Sequence, residues 1–234
     1  MSKLAPAVKP GGTGQAVQET EAEAVEAFRV LATHPAVVTI DLHRGHLDPS
    51  VATLPLPAEV AAALMSRTVR FLDDVRDRGI PIIHVVTAYR DRREIIANPY
   101  WRFQSGRAGS IRSGIADHNL GTTHGVELMP GIRKGPDLLV HGKKRYDCFL
   151  GTDLGFTLRS HEVNAVLLLG VNTNSCVIAT AISASVRDYA VFVVEEGVQT
   201  MGGQSLHDAA RQVIAGSFGW LIHAADVLQG LHKL

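Results

Sequence analysis

The chain has 234 residues, 46% hydrophobic and 20% charged, enough for one sizeable core. Lys plus Arg and Asp plus Glu both number 23, so formal net charge is zero and nothing global points to nucleic acid or an anionic membrane. No apolar run approaches the roughly 20 residues that span a bilayer. Two cysteines, Cys148 and Cys176, are too few for a disulfide framework, so a reducing cytoplasm is the expected location.

Residues 1–34 lack the apolar core of a signal peptide and read as a loose arm followed by a short helix. AVVTID (36–41) reads as a buried strand bounded by Pro35. Helical spacing follows over 57–78, with Val60, Leu64, Thr68, Phe71 or Leu72 and Val75 on one face and Gly79 as a left-handed cap. IPIIHVVT (80–87) is a second apolar, β-branched run. Residues 88–136 break the rhythm, and long aperiodic stretches inside domains tend to be functional or disordered. This one is basic and aromatic: Arg90, Arg92, Arg93, Arg102, Arg107 and Arg112 stand against Asp91 and Glu94, beside Tyr100, Trp101 and Phe103. Four more strands follow, DLLVH (137–141), NAVLLLGV (164–171), AVFVVE (190–195) and GWLIHA (219–224). Helices are expected between them at roughly 152–161, 176–189 and 203–216. Strands apolar along their whole length, alternating with helices, imply a sheet buried on both faces. The expected fold is α/β, a doubly wound, six-stranded, mainly parallel sheet forming one domain over 35–234.

Ligands of such sheets sit outside the carboxyl ends of the strands. The polar residues there are Asp41, then Thr87 and Arg90, then Lys143 and Lys144, then Asn172 to Cys176, then Thr200. A carboxylate, an ammonium and a thiol would converge on one edge. Cys176 opens a helix, where the helix dipole and unpaired N–H groups favour thiolate, and a nearby lysine adds to that. A carboxylate can shuttle the thiol proton to a leaving amine. These parts suit acyl transfer to sulfur followed by hydrolysis; the competing reading of a lone cysteine is a buried hydrophobe. One or two arginines of the aperiodic stretch could hold a substrate carboxylate. Arg90, Trp101 and Thr173 are the candidate substrate contacts.

Several segments together resemble the isochorismatase-like cysteine hydrolases, a group that includes nicotinamidases, N-carbamoylsarcosine amidohydrolase, and ureidoacrylate and maleamate amidohydrolases. They are VVTIDLHRGHLD (37–48), GTTHGVELMPGI (121–132), KKRYDCFLGTDL (143–154) and GVNTNSCVIATA (170–181). The resemblance spans about residues 35–225. It implies an Asp-Lys-Cys triad of Asp41, Lys143 and Cys176, with Lys144 a neighbour. It also implies a cis peptide between Val171 and Asn172, and an oxyanion hole from the N–H groups of Asn172 and Cys176. The cysteine implies C–N bond hydrolysis of a small amide or N-carbamoyl (ureido) substrate through a thioester, without an organic cofactor. A homo-oligomer, dimer or tetramer, is implied too.

The chain departs from the family in four places. Asp-x-Gln is Asp41-Leu42-His43, the motif Ser is Asp147, and Cys148, read as a packed core thiol, replaces a small residue. The metal-binding Asp-x-His of nicotinamidases is replaced by TAYRDRRE, so that metal site is not carried over. Two alternatives stay open: a metal-assisted hydrolase using His43, His46 and Asp48, and a non-enzymatic thiol sensor built on Cys176.

Overall fold

A computed structural model describes residues 21–231. The chain runs α1 (Glu21–Leu31), β1 (Pro35–Ile40), α2 (Arg44–Leu47), α3 (Ala58–Arg76), β2 (Ile82–Thr87), α4 (Arg92–Ile96), α5 (Pro99–Gln104) and β3 (Leu138–Lys143). It continues through α6 (Leu154–Ser160), β4 (Ala165–Val171), α7 (Ile178–Ser185), β5 (Ala190–Gln199), α8 (Gln204–Ser217), β6 (Trp220–Ile222) and α9 (Ala224–Leu231). The expected short N-terminal helix is α1; the arm before it lies outside the described residues.

The six strands form one sheet in the order β3-β2-β1-β4-β5-β6, every pair parallel. β1, β2 and β4 are buried at every position, which is why they read as unbroken apolar runs. Successive strand residues feed opposite faces. Val37, Leu167, Leu169, Phe192 and Val194 pack with Leu64, Phe71, Leu72 and Val75 of α3 and Phe28 of α1. Val38, Ile40, Val166, Leu168 and Val193 pack with Leu154 and Leu158 of α6, Ala181 and Ala184 of α7 and Ile214 of α8. α3 ends as read: Gly79 adopts φ 72° and donates to the Arg76 carbonyl at 2.9 Å.

The chain grows outward from β1 to β3 and then returns to β4 on the other side of β1. That reversal opens a crevice beyond the carboxyl ends of β1 and β4, where such sheets hold ligands. Gly170 lets the two strands approach here: its φ is 128°, and a Cβ would collide with the Ile40 carbonyl.

Residues 88–136 form a roof tied to the strand ends. Tyr89 bridges to Leu120, and His43 bridges to Leu128. Arg44 N–H donates to the Glu127 carbonyl at 2.8 Å, and Met129 N–H to that of Leu42 at 3.0 Å. Its apolar kernel is Tyr89, Ile95, Trp101 and Ile115, joined by Leu54 from the loop between α2 and α3 and separate from the two sheet cores.

Candidate active site

Asp41 follows β1 directly and turns the chain with φ 54°, a left-handed conformation that aspartate tolerates better than most residues. Its Oδ1 accepts from the Thr87 N–H at 2.9 Å and the Thr87 hydroxyl at 2.8 Å. Lys143 reaches across from β3. Its Nζ lies 2.6 Å from Asp41 Oδ2, 2.7 Å from Thr87 Oγ1 and 3.4 Å from Cys176 Sγ. Three separate strand ends therefore supply one carboxylate, one ammonium and one thiol to a single contact cluster.

A bulge in β3 aims the lysine. Val86 pairs with His141 but Thr87 pairs with Lys143, so Gly142 is an extra residue, at φ 91°. Without that insertion Gly142 would face Thr87, and the lysine would fall one register step away, with its side chain on the opposite face.

Cys176 sits in a wide turn, Thr173–Val177, that leads into α7; the Asn172 carbonyl accepts from Ser175 N–H at 3.0 Å and Val177 N–H at 3.1 Å. The peptide between Val171 and Asn172 is cis. The Asn172 side chain accepts from Met201 N–H at 2.8 Å and so joins this turn to the loop after β5.

The charges settle as a neutral pair beside a neutral thiol. Burial alone would raise Asp41, but Lys143, with help from His43, reverses this and holds the carboxyl well below its usual range. Burial would lower Lys143, but Asp41 and then Cys176 hold its ammonium well above the usual lysine value. Burial pushes the Cys176 thiol up to about 11; Lys143 opposes the rise and the Asp41 carboxylate adds to it. Burial thus works against the resting thiolate that the sequence suggests. α7 begins two residues beyond the sulfur, and desolvation outweighs the lysine.

The cleft above this cluster holds about 350 Å³ including its open mouth. Tyr89, Trp101, Ile115 and Tyr146 form its apolar walls, with Arg112 and Arg145 beside them. Of the candidate contacts, Trp101 lines the cleft, and its Nε1 donates to the Tyr146 hydroxyl at 2.8 Å. The other two candidate contacts do not. Arg90 is 85% exposed and pairs with Glu94. Thr173 is fully buried against His207 at 2.9 Å and is absent from the cleft wall. Arg112 takes the place expected of Arg90, with its guanidinium 5.6 Å from the centre of the Tyr146 ring. Lys144 pairs with Glu94 at 3.0 Å on the rim, and Thr200 bonds Asn174 at 2.6 Å. A wider hollow of about 2920 Å³ along β6 is open to solvent, and no cysteine lines it.

The family departures resolve locally. Asp147 accepts from Phe149 N–H at 2.8 Å and from the Ser183 hydroxyl at 2.9 Å, anchoring the loop before α6 to α7. Cys148 is fully buried, and burial raises its thiol strongly. Asp48 does not join His43 and His46: it accepts from Arg44 Nε at 2.8 Å and from the Ser50 hydroxyl at 2.6 Å. The neighbour of the two histidines is instead His118, which sequence reading missed. It sits in the aperiodic stretch, where no spacing marks it.

Residues 35–226 match the family model for the isochorismatase domain, and the chain belongs to that family. A ureidoacrylate amidohydrolase of Methylobacterium radiotolerans is 35% identical over 98 residues, 42% of this chain and 38% of that protein. The chain thus spans well under half the length of that relative. A maleamate amidohydrolase of Pseudomonas putida is 23% identical over 200 residues, 86% of this chain and 88% of that one. Among solved structures, an N-carbamoylsarcosine amidase from Thermoplasma acidophilum superposes with a TM-score of 0.62 at 24% identity, covering 82% of this chain and 97% of that one. A cysteine hydrolase from Pseudomonas syringae gives 0.70 at 19%, covering 87% and 97%. Both likenesses establish the six-stranded fold. Among the described residues no helix is long and apolar enough to cross a membrane.

Proposed function

We propose that this chain is a cysteine-dependent amidohydrolase that cleaves the C–N bond of a small amide or ureido acid. The observation that carries the reading is the lysine ammonium lying between a carboxylate and a thiol at the crevice of the sheet, 2.6 Å from one and 3.4 Å from the other. The names of the relatives, acting on ureidoacrylate, maleamate and N-carbamoylsarcosine, support the same class.

Burial favours S–H beside the carboxylate and the ammonium, so in this reading the proton leaves sulfur as the S–C bond forms. Asp41 accepts that proton while the substrate carbonyl becomes an oxyanion, which the N–H groups of Asn172 and Cys176 stabilise. Collapse breaks the C–N bond, and Asp41 returns the proton to the departing ammonia or amine. Water then attacks the thioester with Asp41 as base, releasing the acid and restoring the thiol. Lys143 stays charged throughout and fixes both partners. A thiol sensor would want an acidified sulfur, so burial of Cys176 counts against that alternative.

The cleft admits only a small acyl group, and the Arg112 guanidinium suits a substrate carboxylate. The test is mass spectrometry of the Cys176 peptide after mixing the protein with a panel of amides and ureido acids. An acyl adduct that is absent in Cys176→Ala supports the reading; turnover that survives in Cys176→Ala overturns it.

A further inference from the structure

Three histidines crowd together beside the cleft, two of them in its wall. One nitrogen from each of His43, His46 and His118 lies within 4.8 Å of the other two, and all three residues are buried. Their ring centroids are 5.0, 5.7 and 4.6 Å apart. The cluster gathers two residues from the turn after β1 and one from the roof.

The hydrogen bonds show which nitrogens are already used. His46 Nδ1 lies 2.7 Å from the Leu54 carbonyl, so it carries the proton and donates, leaving Nε2 as a lone pair. His118 Nδ1 is engaged with the Thr53 hydroxyl at 2.9 Å, a group that donates or accepts, so this bond holds the ring without fixing its tautomer. His43 Nε2 accepts from the Asn119 amide at 2.7 Å, an orientation fixed because the same amide nitrogen donates to the Thr87 carbonyl at 2.9 Å. His43 Nδ1 has no hydrogen-bond partner, although the ring is fully buried. Asn119 Oδ1 is also buried and unpartnered. A fully buried imidazole nitrogen without a partner calls for an explanation; because His43 Nε2 accepts, the neutral ring carries its proton on Nδ1, and a cation there would have to displace it.

We propose that His43, His46 and His118 form a binding site for one divalent first-row cation, zinc foremost, beside the cysteine cluster. Three imidazoles are the donor set of open zinc sites, with Zn–N distances of about 2.0–2.1 Å; the present spacing requires the rings to close by a modest rotation. The second shell is in place. Leu54 and Thr53 orient His46 and His118. A cation on His43 Nδ1 moves that ring's proton to Nε2. There Asp41 Oδ1 stands 3.6 Å away and would accept from it. The nearby charges are the Asp41 carboxylate and the Lys143 ammonium, which cancel, so the corner does not repel a cation outright. His46 and His118 line the cleft, so the open coordination positions face any bound molecule and would take a lone-pair donor from it. The set is distinct from an Asp-x-His site after β2, where this chain offers Ala88, Tyr89 and Arg90. It also does not depend on the cysteine mechanism.

The test uses untagged full-length protein. Metal content is measured by mass spectrometry, and Co(II) is titrated into the chelator-treated protein while the visible d–d absorption of tetrahedral cobalt is followed. We expect one equivalent per chain, displaced by Zn(II). His46→Gln and His118→Gln should each weaken binding by about 100-fold or more, and Cys176→Ser should leave it intact. Far-UV circular dichroism checks that each variant is folded. Because Cys176 is the rival ligand, binding that survives both histidine variants but is lost in Cys176→Ser overturns the proposal. So does a wild-type protein that takes up no Co(II) at micromolar concentration, whatever the variants do.

Discussion

Lys143 Nζ sits 2.6 Å from Asp41 Oδ2, a pair formed between residues 102 positions apart and almost wholly removed from water. Breaking one side of such a pair leaves an uncompensated buried charge. Lys143→Met should therefore cost about 3–5 kcal/mol in urea unfolding. The double variant Asp41→Asn, Lys143→Met should recover part of that loss, because neither charge then remains buried alone. Additive losses in the double-mutant cycle would mean that the pair is not coupled.

The sulfur makes a second prediction. Burial raises the Cys176 thiol above its usual value, so the thiolate is a small minority at pH 7. Alkylation of Cys176 by iodoacetamide, followed on its peptide by mass spectrometry, should keep accelerating above pH 9 rather than level off near neutrality. Asp41→Asn removes a carboxylate that raises the thiol, so it should shift the profile to lower pH while abolishing turnover. Folding stability follows the same sign. The folded value lies above the ordinary thiol value of 9.0, so the unfolded chain ionises first, and stability falls as pH rises from about 9 toward 11.

These outcomes mark where the sequence was legible. Strands buried on both faces leave an unbroken apolar record, so β1, β2 and β4 and the polar residues at their ends could be read directly. β5 was read four residues short, because Glu196 and Gly197 interrupt its apolar run before Val198 and Gln199 resume pairing with β4. The roof was opaque for a different reason. α4 and α5 have five and six residues, too few to show a period, and their positions depend on contacts distant in sequence. Basic composition marked the segment, yet it could not distinguish Arg90, captured by Glu94 four residues on, from Arg112 at the cleft. The His-x-x-His spacing was informative, but Arg44 and Ser50 hold Asp48 elsewhere.

Gly142 links fold to site and can be tested without a substrate. At φ 91° a side chain is strained even though the space around it is open. Gly142→Val should cost about 1–2 kcal/mol from the backbone alone. If the bulge irons out, Lys143 withdraws from the sulfur, the influence that opposes the rise in the thiol is lost, and the alkylation profile moves to higher pH. An unchanged profile with reduced stability would separate the bulge from the aiming of the lysine.

The choice between two arginines gives the sharpest test of substrate class. Arg112 lines the cleft with its guanidinium near the face of Tyr146, whose hydroxyl is held by Trp101. Arg90 points to solvent and pairs with Glu94. A charge-assisted hydrogen bond to a carboxylate is worth about 1.5–3 kcal/mol, so Arg112→Ala should raise KM for a ureido acid by about 10- to 100-fold. Arg90→Ala should change it by less than about twofold, as exposed ion pairs contribute little. The control is the uncharged amide analogue of the same acid, for which Arg112→Ala should make little difference. An equal loss on the acid and on its neutral analogue would show that Arg112 shapes the wall rather than recognising charge, and the assignment of an anionic substrate would fall with it.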